Sequence, residues 1–296
     1  REIVPDFTYP ATADVVYLCG AKCTLIDVDI ISRNTTYDNI KEAISKNTKA
    51  TIPVSEFGNP LNEDIYELKD EGIFVLEDAA TAIGSEIKGK KVGSFADATV
   101  FSFHPRKLLT TGEGGMITTN NEELYEKIKS YKMFGSKIGE LGRFKFDKIG
   151  TNYKMSNILA AVGLAQLDKI EKILRDRIRK AEYYNKLFSE IEFIETPSKI
   201  ENTRHTYQSY TLLLKENGRR DYLINKLSEL GIQTQIGTYA LHLEKAFLDA
   251  KIIGGLNNSE TLYHNLITIP LYYGLTKEEQ EFIFESIINI LKSDKR

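Results

Sequence analysis

Tryptophan is absent from the 296 residues, and cysteine occurs only twice, at Cys19 and Cys23. Two cysteines cannot build a disulfide framework for a chain of this length, so a reducing, cytoplasmic setting is expected. A lone pair four residues apart is also more often packing than a zinc site, and both are read as structural. Neither sign of charge dominates: 39 Lys plus Arg stand against 42 Asp plus Glu, a formal net charge of -3. That balance excludes a polyanion binder driven by bulk charge, and no nucleic-acid partner is expected. No apolar run approaches the roughly 20 residues that cross a bilayer, so no membrane partner is expected either. The four histidines, His104, His205, His242 and His264, lack metal-ligand spacing, and no metal site is assigned. Internal repeats, low-complexity tracts and long charge runs are missing too, and the three lysines of Lys88 to Lys91 read as a solvated turn.

What is present is an ordinary globular balance, 42% hydrophobic and 27% charged, in a chain long enough for one large or two ordinary domains. From Ile3 to Thr119, short apolar runs alternate with helix-like stretches. The runs are Ile3-Val4, Thr24 to Asp29, Ala50 to Val54, Ile73 to Asp78, Ala98 to Phe103 and Met116 to Thr119. Alternation of this kind predicts an α/β fold with a mainly parallel sheet flanked by helices. Ile73-Phe74-Val75-Leu76 and Ala98-Thr99-Val100-Phe101 are apolar at nearly every position, as burial of both sheet faces demands. Asn120 or Asn121 can cap a helix running to about Phe134, and a Gly-rich, basic and aromatic loop follows it. Residues 157–191 carry three-four apolar spacing and read as one amphipathic helix, or two in sequence, linking two domains. Beyond them Tyr210 to Leu214 reads as a strand, Arg220 to Leu230 as a helix stopped by Gly231, and Thr276 to Glu279 as a capping box. The expected organisation is a large domain over 1–156, linking helices over 157–191 and a smaller α+β domain over 192–296.

Ligands of open α/β sheets bind beyond the carboxyl ends of the strands, which directs attention to Glu77-Asp78 and to the segment from Ser102 to Lys107. Lys107 lies between the apolar pairs Phe101/Phe103 and Leu108-Leu109, where a desolvated amine has a lowered pKa and can form a Schiff base. By context alone, a solvated side chain is as good a reading. Asp78 reads either as an exposed carboxylate at a strand end or as the partner of a buried cation. Pyridoxal phosphate needs a lysine, a carboxylate for its pyridine nitrogen, and hydroxyls or amides for its phosphate. Asp78, Ser102 and Lys107 could supply all three.

Six motifs stand in a familiar order: Val4-Pro-Asp-Phe-Thr-Tyr9-Pro-Ala-Thr12, Leu76-Glu-Asp-Ala-Ala80, Ser102-Phe-His-Pro-Arg-Lys107, Thr111-Gly-Glu-Gly-Gly115, Gly150-Thr-Asn-Tyr-Lys-Met155 and Gly231-Ile-Gln-Thr-Gln235. In these the whole chain resembles the DegT-type sugar-nucleotide aminotransferases, of the aspartate-aminotransferase fold (type I). The resemblance implies pyridoxal 5'-phosphate as cofactor, with Lys107 as the Schiff-base lysine, Asp78 on the pyridine nitrogen and Ser102 on the phosphate. It implies a stacking ring at Tyr9, a weaker ring contact at Thr81 where the family usually has Gln or His, and a substrate contact at His242. Asn152 resembles the residue that reaches the neighbouring subunit's cofactor phosphate, which implies a homodimer with shared sites.

The expected reaction moves an amino group from an amino acid, L-glutamate by resemblance, to a keto group of a nucleotide-linked deoxy sugar. A pyridoxamine-dependent sugar dehydratase is an alternative, opposed by Lys107 where such enzymes carry histidine. Arg1 in place of methionine, and strand-like residues at positions 1–5, lead to the expectation that the family's opening helices and Gly-Thr phosphate turn are missing. A remnant or binding module that has lost turnover is therefore a third reading.

Overall fold

The structure, a computed structural model, describes residues 1–293. The apolar runs form a seven-stranded sheet in the order Lys251–Ile252, Cys23–Ile26, Glu2–Pro5, Ala50–Thr51, Phe74–Asp78, Ala98–Ser102 and Gly115–Thr118. All neighbours run parallel except the last pair, in which Gly115–Thr118 returns antiparallel along Ala98–Ser102 with Ser102 opposite Gly115. Ile3, Val4, Leu25 and Val75 are wholly buried, because elements cover both faces of the central strands.

A second, antiparallel sheet follows the order Ile194–Glu195, Tyr210–Leu214, Leu266–Ile269 and Gln235–Ile236. Every residue of Tyr210–Leu214 is buried. Tyr184, Phe188, Leu223, Leu227, Ile283 and Ile287 join that core from the helices Ile170–Phe188, Arg220–Glu229 and Lys277–Ser293. The last helix opens with a reciprocal capping box: Glu279 N–H donates to Thr276 Oγ1 at 3.1 Å, and Thr276 N–H to Glu279 Oε2 at 2.8 Å.

Three local features refine the sequence reading. The apolar stretch after position 156 takes the two-helix form, Asn157–Leu167 and Ile170–Phe188, but the first helix is apolar all round with no buried residue rather than amphipathic. The helix after Asn121 ends at Tyr131, earlier than Phe134. The third concerns the region 192–296, part of which returns to the large sheet: Lys251–Ile252 forms its edge, and Tyr239–Ala240 pairs with Phe7–Thr8. Two-residue strands carry too little periodicity to be read locally.

Candidate active site

Four neighbouring strands deliver polar groups to one edge of the large sheet. The chain leaving Glu2–Pro5 carries Thr8 and Thr12, the chain after Ala50–Thr51 carries Glu56, Phe74–Asp78 ends at Asp78, and Ala98–Ser102 runs on to Lys107. Asp78 is fixed on both oxygens, accepting from Thr12 Oγ1 at 2.7 Å on Oδ2 and from Ala80 N–H at 3.0 Å on Oδ1. Thr8 Oγ1 lies 3.4 Å from both Thr12 Oγ1 and Glu56 Oε2, so two hydroxyls connect Asp78 to a second, buried carboxyl.

Lys107 sits on a tight loop closed by its own N–H, which donates to His104 O at 2.9 Å, and by Thr111 N–H on Phe103 O at 3.0 Å. Phe103 and Leu109 are buried beneath it. Burial lowers the pKa of the Lys107 amine, and Arg106 adds to the effect, while the charges of Glu56 and Asp78 oppose it. The loop returns to the sheet through Gly114, where a Cβ would come within 2.6 Å of Thr111 Oγ1 and 2.8 Å of Met155 Cε. Two glutamines hold it from outside. Gln208 accepts from Leu108 N–H at 2.9 Å and donates to Arg106 O at 2.8 Å; Gln166 accepts from Thr110 N–H at 3.1 Å and donates to Thr110 O at 2.6 Å.

Glu56 and one further buried carboxyl, Glu77, both have pKa values pushed up to about 7. For Glu56, burial is the main cause and Asp78 adds to it; for Glu77, burial again leads, with Ser55 Oγ donating at 2.6 Å in opposition.

The structure thus gathers Asp78, Ser102 and Lys107 at adjacent strand ends. The Ser102 hydroxyl accepts from His104 N–H at 3.3 Å. Tyr9, between Thr8 and the Ala11–Leu18 helix, is exposed and meets Tyr239 edge-on at 6.2 Å. Thr81 follows Asp78 by three residues, but its hydroxyl donates to Ser55 O at 2.8 Å, so any contact it makes with a ring is apolar. Asn152 is exposed, and its Oδ1 accepts from Lys154 Nζ at 2.6 Å. His242 lies elsewhere in the bonding pattern, with Nδ1 2.7 Å from the fully buried Asp6 carboxylate and Nε2 3.1 Å from Glu260. Both ring nitrogens are thereby committed, and contact with a substrate through this ring requires Glu260 to leave.

Thr12, Glu56, Gln208 and Gln166 were assigned no role from sequence. Thr12 lies inside a quoted motif and could have been found; the other three become neighbours of the loop only through folding. No group of three His, Cys, Asp or Glu residues fit to hold a metal occurs among the described residues. No helix among them is long and apolar enough to cross a membrane.

An amine whose charge burial disfavours, a carboxylate locked at a strand end and a hydroxyl on the adjoining strand match the donor types that pyridoxal phosphate needs. The family model "DegT/DnrJ/EryC1/StrS aminotransferase family" matches residues 2–288, and the chain belongs to that family, whose aminotransferases depend on this cofactor. Among its relatives, a GDP-perosamine synthase of Escherichia coli O157:H7 is 34% identical over 99% of this chain and 79% of its own length. A UDP-4-amino-4,6-dideoxy-N-acetyl-beta-L-altrosamine transaminase of Campylobacter jejuni is 30% identical over 99% of this chain and 80% of its own length. The putative sugar aminotransferase Spr1654 of Streptococcus pneumoniae, in its PMP-form, superposes with a TM-score of 0.92 at 27% identity, covering 99% of this chain and 82% of that one.

Proposed function

We propose that this chain transfers an amino group from an amino acid, L-glutamate, to the keto carbon of a nucleotide-linked deoxy sugar. The observation that carries the reading is the meeting of Lys107, Asp78 and Ser102 on adjacent strand ends, with the lysine's charge disfavoured by burial. The nucleotide-sugar acceptor is supported by the relatives that make GDP-perosamine or act on a UDP-linked amino sugar.

Bound pyridoxal phosphate supplies an electron-withdrawing ring that stores the amino group between the two half-reactions. Asp78 would accept from the pyridine nitrogen of the cofactor, and Thr12 and the Ala80 amide hold its carboxylate still. Ser102 would donate to the cofactor's phosphate, and Tyr9 and Thr81 would contact its ring. Lys107 would hold the cofactor through its amine, and the same amine would be the group in place to carry a proton during transfer. Burial disfavours the ammonium form and so lowers the cost of freeing that amine to act as a base.

A second copy of the chain completes the site in this reading. Asn152 is exposed, and the same stretch of sequence carries the uncovered helix Asn157–Leu167 with Ile158 and Leu164 facing solvent, and Phe144 and Phe146 on a hairpin before it. Exposed apolar side chains gathered in one stretch of the chain support an interface there.

The test is the visible spectrum of the purified protein with added pyridoxal phosphate, then borohydride reduction and peptide mapping. A yellow protein labelled at Lys107, and turnover of a keto sugar nucleotide with glutamate that Lys107→Ala abolishes, is the expected result. Turnover surviving in Lys107→Ala would overturn the assignment.

A further inference from the structure

Gln208 lies in the segment leading into the Tyr210–Leu214 strand of the second sheet, about a hundred residues from Lys107 in sequence. Its side chain is buried. The amide orientation is unambiguous, because Leu108 N–H can only donate and Arg106 O can only accept. The two bonds, at 2.9 and 2.8 Å, fall on the peptide groups immediately before and after Lys107. Together with the Lys107 N–H bond to His104 O, they fix the backbone on both sides of the Lys107 Cα and hence the direction in which the side chain leaves the loop. Gln208 is itself anchored, since its backbone carbonyl accepts from Nη2 of the half-buried Arg177 at 3.0 Å.

We propose that Gln208 is a positioning residue for Lys107, bracketing it so that the amine is aimed before substrate arrives. This rests on the reading of Lys107 as the cofactor-binding and proton-carrying amine. A loop needs closure anywhere, but closure on the two peptides flanking the reacting residue acts on that residue's geometry. Reaction rates fall about 100-fold for a displacement on the order of 1 Å.

The experiment compares wild type, Q208L and Q208E, each saturated with pyridoxal phosphate. Q208L keeps the bulk and removes both bonds. It is expected to lower kcat about 10- to 100-fold, with KM for the amino donor within about twofold. The isotope effect with α-deuterated glutamate should rise, and the pH midpoint of the yellow band should shift in the resting protein. Q208E keeps the acceptor for Leu108 N–H but sets an oxygen against Arg106 O until it is protonated. Its kcat relative to wild type should therefore climb as pH falls, and it serves as the decisive variant if Q208L does not fold. A Q208L protein that melts lower but shows wild-type kcat, isotope effect and band midpoint would overturn the inference, as would a Q208E ratio flat in pH. The parent reading is checked separately in wild type: a borohydride label missing from Lys107 overturns both, whereas a label on Lys107 with unaltered Gln208 variants overturns this inference alone.

Discussion

Replacing Glu56 with glutamine probes the charge of the site directly. In the fold this carboxyl is buried and its pKa is pushed up to about 7 by burial, then by Asp78, against the pull of Lys107 and Thr8; its ordinary value is 4.5. Between those two values the folded chain holds a proton that the unfolded chain has released, so stability falls as pH rises through this window and the full cost is reached above pH 7. At about 1.4 kcal/mol per pH unit, the interval is worth about 3 kcal/mol at pH 8 and close to nothing at pH 4.5. Glutamine has the same shape and no proton to lose. Glu56→Gln is therefore expected to raise Tm by about 6 °C at pH 8, taking roughly 2 °C per kcal/mol for a chain of this size. Below pH 5 the gain should vanish. Calorimetry or dye-monitored melting of the cofactor-free protein at four values between pH 5 and pH 8 reads this out. A difference that is flat in pH, or a loss of stability at pH 8, would refute the reasoning and show Glu56 ionised against a charged Lys107.

Three other perturbations follow from named contacts. Thr12→Val removes the 2.7 Å bond that orients Asp78 and should weaken pyridoxal phosphate binding about tenfold in an absorbance titration; an unchanged Kd would dismiss this role. His242→Ala strands the buried Asp6 carboxylate and should cost about 3 kcal/mol in denaturant unfolding. Burial opposes charge on His242, but Asp6 and Glu260 outweigh it and raise its pKa above 6.5, so the contribution is full below that value and lost as pH rises through the folded one. The gap between wild type and His242→Ala should accordingly narrow above neutrality, and a gap that widens would contradict the pairing. Leu164→Glu, on the uncovered helix, should turn a dimer into a monomer in sedimentation at about micromolar concentration; a wild-type protein already monomeric there would dispose of the proposed interface.

The strand runs, the capped helices and the placement of Asp78, Ser102 and Lys107 at strand ends were legible because they are local. Consecutive apolar residues demand burial on both faces, and a parallel sheet then puts the ends of its neighbouring strands along one edge whatever lies between them. The capping box at Thr276 and the stop at Gly231 are likewise short-range, and both appear where the sequence marks them. The antiparallel return of Gly115–Thr118 was not legible, since a strand's apolar pattern does not state its direction.

Burial and partnership across long separations belong to the tertiary structure. Position 56 follows an ordinary strand in sequence, and only the approach of Thr8 and Asp78 from two neighbouring elements makes it a carboxyl that titrates near 7. Gln208 is one polar residue among many until the second sheet brings it against Lys107. His242 drew attention as a ligand-facing side chain, yet a residue 236 positions away takes one of its ring nitrogens. A residue's type and neighbours set what chemistry it can do; the dielectric around it and the groups opposite it, which decide whether it does so, come from contacts that no local pattern encodes.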